Sequence, residues 1–152
     1  MEIKVEGKNK KYANYLKESY CGKDSDFTSF LLFKYEYIIF NKNDNIFSLN
    51  MNKLSNDSLL HLEVLGKLIT MLGEKPDLIP INNIDKFFIA DKKILLELNI
   101  RLTKQKIILY TENLNRIEDH YIKDILKNFI EEERKNLRIL ELLQLKNKIS
   151  KV

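Results

Sequence analysis

The sequence predicts an all-α protein, a bundle of four long helices, on three observations. Only 4 Gly and 2 Pro occur in 152 residues, too few to turn the chain through a β-sandwich or barrel. Apolar residues recur at spacings of three and four through four long stretches, which marks helices that bury one face. Three breaks, two polar and one rich in Gly and Pro, separate those stretches.

The elements follow in order. A short helical segment around residues 12–19 comes first, then helix A over about 24–40. Asn41 to Asn45, reading Asn-Lys-Asn-Asp-Asn, cannot bury an apolar face and joins helix A to helix B at about 47–72. Gly73 suits the position just past a helix end, and Pro76 and Pro80 cannot continue the helix beyond it. The longer link to Asp85 leads into helix C at about 86–114, and Asn113 to Asp119 breaks the chain before helix D at about 118–147. One short link, one long link and one short link match a bundle with a crossover between its second and third helices, although a long link can also wrap the surface between adjacent helices.

With 44% hydrophobic residues, a chain of this length buries one core, so a single domain over 1–152 with its core at about 12–147 is expected. The lone Cys21 cannot form an intramolecular disulfide, and charged residues rather than an apolar leader follow Met1, so a reducing, cytoplasmic setting is expected. No apolar run reaches the roughly 18 residues of a spanning helix, and no membrane partner is expected. The 26 basic and 22 acidic residues are interleaved, apart from small clusters at Lys8, Lys10, Lys11 and at Lys146, Lys148, Lys151 that read as solvated tails. No basic stripe interleaved with aromatics is present, so no nucleic-acid partner is expected either.

The helical seams carry the chemistry. Helix A gives Asp26, Phe30, Phe33, Tyr37, Phe40, and helix B gives Leu54, Ser58, His61, Leu65, Leu68, Leu72. Helix C gives Leu96, Ile100, Thr103, Ile107, Tyr110, Leu114, and helix D gives Ile122, Leu126, Phe129, Glu133, Asn136, Leu140, Leu143. Each seam is apolar and broken once. An unpartnered buried polar group costs about 1–3 kcal/mol, so scattered breaks are disfavoured, and these are correlated. Asp26 precedes Ser58 by 32 residues and Thr103 precedes Glu133 by 30, with Ser58 and His61, like Glu133 and Asn136, three apart. The chain reads as two similar hairpins, each setting one polar position against an i, i+3 pair.

That is the plan of carboxylate-bridged di-metal bundles. On these seams, on Tyr20-Cys21-Gly22-Lys23-Asp24-Ser25-Asp26, on His61 to Ile69 followed by Leu72-Gly73, and on Glu131-Glu132-Glu133, the chain from about Tyr12 to Leu143 resembles the ferritin-like superfamily. It is most similar to the small rubrerythrin-like and manganese-catalase-like bacterial bundles. The resemblance implies a ferritin-like fold whose di-metal ligands have mostly been replaced. The Glu of helix A falls on Asp26, that of helix B on Ser58, that of helix C on Thr103 and that of helix D on Glu133, which is retained. The two His positions fall on His61, retained, and on Asn136.

Hydroxyls at Ser58 and Thr103 are neutral, weak ligands and cannot bridge two divalent ions, so di-iron or di-manganese oxidase chemistry is not expected. Without cations, four facing carboxylates would repel one another, and exchange toward Ser, Thr and Asn relieves that repulsion. Two readings of His61 stay open: a histidine hydrogen-bonded to a carboxylate, or a ligand which, with Asp26 and Glu133, holds one Mn, Fe or Zn ion. Asp57, Glu63, Glu131 and Glu132 are expected to be solvated, His120 to begin helix D, Cys21 to be a small buried residue, and Tyr37 and Tyr110 to lie beside the polar layer. The expected role is a non-catalytic structural or interaction protein with no cofactor, forming a homo-oligomer or meeting a protein partner. The alternative is a protein or oxidoreductase carrying one metal ion.

Overall fold

The computed structural model describes residues 2–150; Lys151 of the C-terminal basic cluster lies outside them. It is all-α: a shorter helix α1 (Lys10–Cys21) precedes four long ones, α2 (Asp26–Phe40), α3 (Asn45–Met71), α4 (Lys92–Arg116) and α5 (His120–Ile149). Every helix starts at an Asn, Ser or Asp whose side chain accepts from a backbone N–H of the first turn: Asn9, Ser25, Asp44, Asp91 and Asp119. Gly73, at φ 101°, ends α3, with its N–H donating to Thr70 O and the Glu74 N–H to Ile69 O. The left-handed conformation at this position is the reason a Gly stands there.

Helix α4 begins six residues later than the sequence predicts. Ile84–Phe87 form a separate 3-10 turn and the stretch through Asp91 is not helical. Two interactions hold it against α2 instead: Tyr35 Oη donates to Ile89 O (2.8 Å), and the Tyr35 and Phe88 rings lie 4.8 Å apart. Asp91 then caps the helix, accepting from Ile94 N at 3.1 Å.

The long helices form two antiparallel hairpins, α2 on α3 and α4 on α5, with α2 also packed on α4 and α3 on α5. Consecutive helices α3 and α4 are parallel. At one end Lys92 of α4 reaches Asp44, the cap of α3 (2.6 Å). At the other, both helices end on α1 and its cap: Leu72 O accepts from Asn9 N (3.0 Å), and Asn113 Nδ2 donates to Tyr15 O (3.2 Å). The connection between them must therefore run the length of the bundle. It passes along α1 and α2, where Tyr20 Oη donates to Pro76 O (2.7 Å), Cys21 Sγ to Ile79 O (2.7 Å) and Tyr35 to Ile89.

Two apolar clusters result. One holds Leu16, Leu65, Leu68, Ile122, Leu126 and Phe129; the other holds Phe33, Phe40, Phe47, Met51, Leu96 and Leu140. Full burial of each such side chain contributes about 1.5–3 kcal/mol, which drives the assembly. The polar layer lies between the clusters. Among the described residues no helix is long and apolar enough to cross a membrane.

Candidate functional site

Four helices each bring a polar side chain to that layer. Asp26 is the first residue of α2, held there by the Ser25 cap, which accepts from Thr28 N at 3.1 Å. A carboxylate in the first turn is favoured by the helix dipole. Midway along α3 lies His61, and α5 supplies Glu133; Asp26, His61 and Glu133 are all buried, each with a ligand-type atom within 4.8 Å of the others. The three residues singled out from the seams are thus brought together.

A fourth residue changes what they can do. Lys106 of α4 is 2% exposed, and its Nζ donates to Asp26 Oδ1 (3.2 Å) and Ser58 Oγ (3.3 Å). Glu133 Oε1 lies 3.0 Å from the same Nζ, an ion pair outside hydrogen-bond geometry. From the facing side, His61 Nδ1 is 3.3 Å from Glu133 Oε1 and 3.6 Å from Asp26 Oδ1, close enough for charge attraction without a directed hydrogen bond. Its Nε2 donates to Glu132 Oε2 at 2.5 Å, and its ring stacks on Phe129 with centroids 3.9 Å apart. Tyr110, one turn after Lys106, donates its hydroxyl to Asp26 Oδ2.

The protonation states follow from this geometry. Burial alone would push the His61 imidazole down, but Asp26, Glu132 and Glu133 around it hold it well above its ordinary value, so it is an imidazolium at neutral pH. Burial likewise opposes the Lys106 ammonium, and Glu133 and Asp26 overcome that and raise it. Burial disfavours the charged form of Asp26 too, yet Lys106, His61 and Tyr110 together keep its carboxyl below the usual range. Desolvation and the neighbouring carboxylates hold the Tyr110 phenol well above its ordinary value, so it stays a donor. At the centre, two anions, Asp26 and Glu133, face two cations, Lys106 and His61.

The other polar positions of the seams divide. Ser58 joins the cluster as an acceptor. The Thr103 hydroxyl turns back along its own helix to donate to Asn99 O (2.8 Å). Asn136 is buried but bonds away from the cluster, accepting from Lys53 Nζ (2.7 Å) and donating to Asp57 Oδ2 (3.3 Å). Glu132, expected to be solvated, is half-exposed and reaches His61; Asp57 is likewise engaged by Lys53 at 2.7 Å. Tyr37 does not reach the layer and sits by Lys34 instead. Cys21 is half-buried against Ile79, and His120 begins α5, bonded to Glu6.

Among the buried polar residues that the apolar spacing misses are Lys106, Asn99 and Asn113 on α4 and Ser29 and Glu36 on α2. The inward faces are Asp26, Ser29, Phe33, Glu36, Phe40 and Asn99, Thr103, Lys106, Tyr110, Asn113, with Phe30, Ile100 and Ile107 only half-buried at their edges. A signal for Lys106 existed: Asn99, Thr103, Lys106, Tyr110 and Asn113 keep an unbroken spacing of four and three.

No known protein-family model and no curated protein sequence matches this chain. Fold and site together define an all-helical, four-helix protein with a buried Asp/His/Glu triad.

Proposed function

We propose that this chain is a non-catalytic structural or interaction protein on a ferritin-like bundle, its polar centre closed by an internal cation where relatives of that architecture hold metal. The observation that carries the reading is the Lys106 ammonium, between Asp26 and Glu133 at 3.2 and 3.0 Å. Together with the His61 imidazolium it supplies the two positive charges a divalent ion would bring to Asp26 and Glu133. To admit such an ion, Lys106 must withdraw or lose its proton, and His61 must lose the one on Nδ1. Both cost free energy because the carboxylates hold those protons in place. The donor set therefore does not fit a resident metal. The parallel course of α3 and α4 and the long connection between them support the ferritin-like assignment.

The second reading is a protein holding one Mn, Fe or Zn ion at Asp26, His61 and Glu133. One observation favours it: imidazoles that bind metals commonly donate their other N–H to a carboxylate, as His61 does to Glu132. Elemental analysis of protein purified without chelator separates the two. We expect no stoichiometric metal and no thermal shift on adding these ions. About one equivalent of metal, lost in His61→Ala, would overturn the first reading.

A further inference from the structure

A shallow groove of about 580 Å³ lies on the outer side of α3, away from the polar layer. Its floor is Leu62 and Gly66, and its far wall is Tyr20 with Pro76 and Leu78 of the long connection, secured by the Tyr20 hydroxyl on Pro76 O. Gly66 lets the Tyr20 ring pack close to α3, since a Cβ there would sit 3.1 Å from the ring and push it outward by a few tenths of an ångström. The helix face beside the groove carries Leu59, Leu60, Glu63, Lys67, Thr70 and Met71, with Leu60 53% and Met71 41% exposed. Glu63 and Lys67 are both exposed, and neither makes an ion pair or a side-chain hydrogen bond among the described residues. Thr70 turns its hydroxyl back to Gly66 O (3.0 Å), so it offers a partner no unmet donor.

We infer that this face of α3 docks on the same face of a second copy, antiparallel about a two-fold axis near residue 65. In an isologous contact every pairing occurs twice, so the face must be complementary to itself. This one is. Antiparallel alignment about residue 65 sets Glu63 against the partner's Lys67, Leu59 against the partner's Met71 and Leu60 against the partner's Thr70. Opposite charges meet on both sides of the axis and Leu59 meets Met71, while Leu60 faces a Thr70 whose hydroxyl is already bonded within its own helix. A parallel alignment would instead set Glu63 beside the partner's Glu63 and Lys67 beside the partner's Lys67.

This names a second copy as partner for the interaction role proposed above and rests on that reading, but it concerns a surface remote from the metal question. A dimer with metal would overturn the earlier reading and leave this one standing, and a metal-free monomer would do the reverse. The test is sedimentation analysis of the full chain at micromolar concentration. The wild type is expected to dimerise, and Glu63→Lys and Lys67→Glu each to weaken dimerisation by about tenfold or more by setting like charges together. Mixing the two variants restores every opposite-charge pairing and is expected to restore the dimer, as is the double variant Glu63→Lys with Lys67→Glu. Both positions are exposed, so thermal unfolding should confirm intact folds. A monomeric wild type, or a dimer indifferent to the single reversals, overturns the inference.

Discussion

At the scale of single residues, Lys106 decides the character of the centre. Its four-carbon stem passes through the buried face of α4 and delivers a charge where two carboxylates converge, and each ion lacks water as a substitute partner. Removing one member of such a buried group leaves the others uncompensated, which typically costs about 3–5 kcal/mol. Lys106→Met keeps the length and deletes the charge, and it should lower stability by about that amount in chemical denaturation. The same variant leaves Asp26, Glu133 and His61 Nδ1 converging on a space without a cation. Added Mn²⁺ or Zn²⁺ should then return part of the lost stability to the variant while leaving the wild type unmoved. Equal stability of variant and wild type, or equal stabilisation of both by metal, would show that Lys106 is not the internal cation.

Among the elements, the sequence is most legible where its apolar and polar signals agree. Helices α3 and α5 present all the inward residues their spacing predicts, and the breaks fall where Asn, Asp and Gly prefer to cap or end helices. Legibility fails where an inward polar residue has an apolar neighbour in sequence, since periodicity follows apolar side chains: Glu36 and Lys106 lie beside half-buried Tyr37 and Ile107, which attract the reading by one position. The early start predicted for α4 has a different cause: residues 88 and 89 pack on Tyr35 of α2, and Asp91, a cap signal passed over in favour of the apolar run before it, opens the helix. Of the caps, Asp119 has a second duty that no local pattern reveals. Its Oδ1 accepts from Tyr121 N (3.0 Å) and Ile122 N (3.2 Å) while its Oδ2 accepts from Glu6 N (2.7 Å), tying the N-terminal segment to the start of α5. Replacing a cap with Ala typically costs about 1 kcal/mol, and Asp119→Ala should cost about 1–2 kcal/mol because the tie is lost with it. Amide hydrogen exchange should quicken at Glu6 and in the first turn of α5 together. Faster exchange in α5 alone would mean that Asp119 caps without tethering.

Over the whole molecule, the buried titratable groups make stability depend on pH in a definite direction. The His61 contribution is fully present below the ordinary histidine value and is lost as pH rises through its raised folded value. Asp26 acts at the opposite end, its contribution being lost as pH falls through a lowered value. Glu36, enclosed in the second apolar cluster, is pushed by burial from 4.5 up to about 8, against a modest opposing effect of the Asn99 amide, which donates to Oε1 at 2.6 Å. Its Oε2 has no hydrogen-bond partner among the described residues, so nothing there offsets the cost of a buried charge. Because the folded state keeps this proton after the unfolded state has released it, stability falls as pH rises from 4.5 to about 8, by about 3 kcal/mol at neutral pH. Glu36→Gln is isosteric with the protonated acid and cannot ionise. The variant should match the wild type in acid, exceed it by about 3 kcal/mol at neutral pH, and hold a constant lead beyond the folded value of Glu36. Paired denaturation curves across that range cancel the contributions of all other titrating groups, so the difference reports Glu36 alone. A difference that does not vary with pH would mean that the carboxyl of Glu36 titrates normally and reaches solvent.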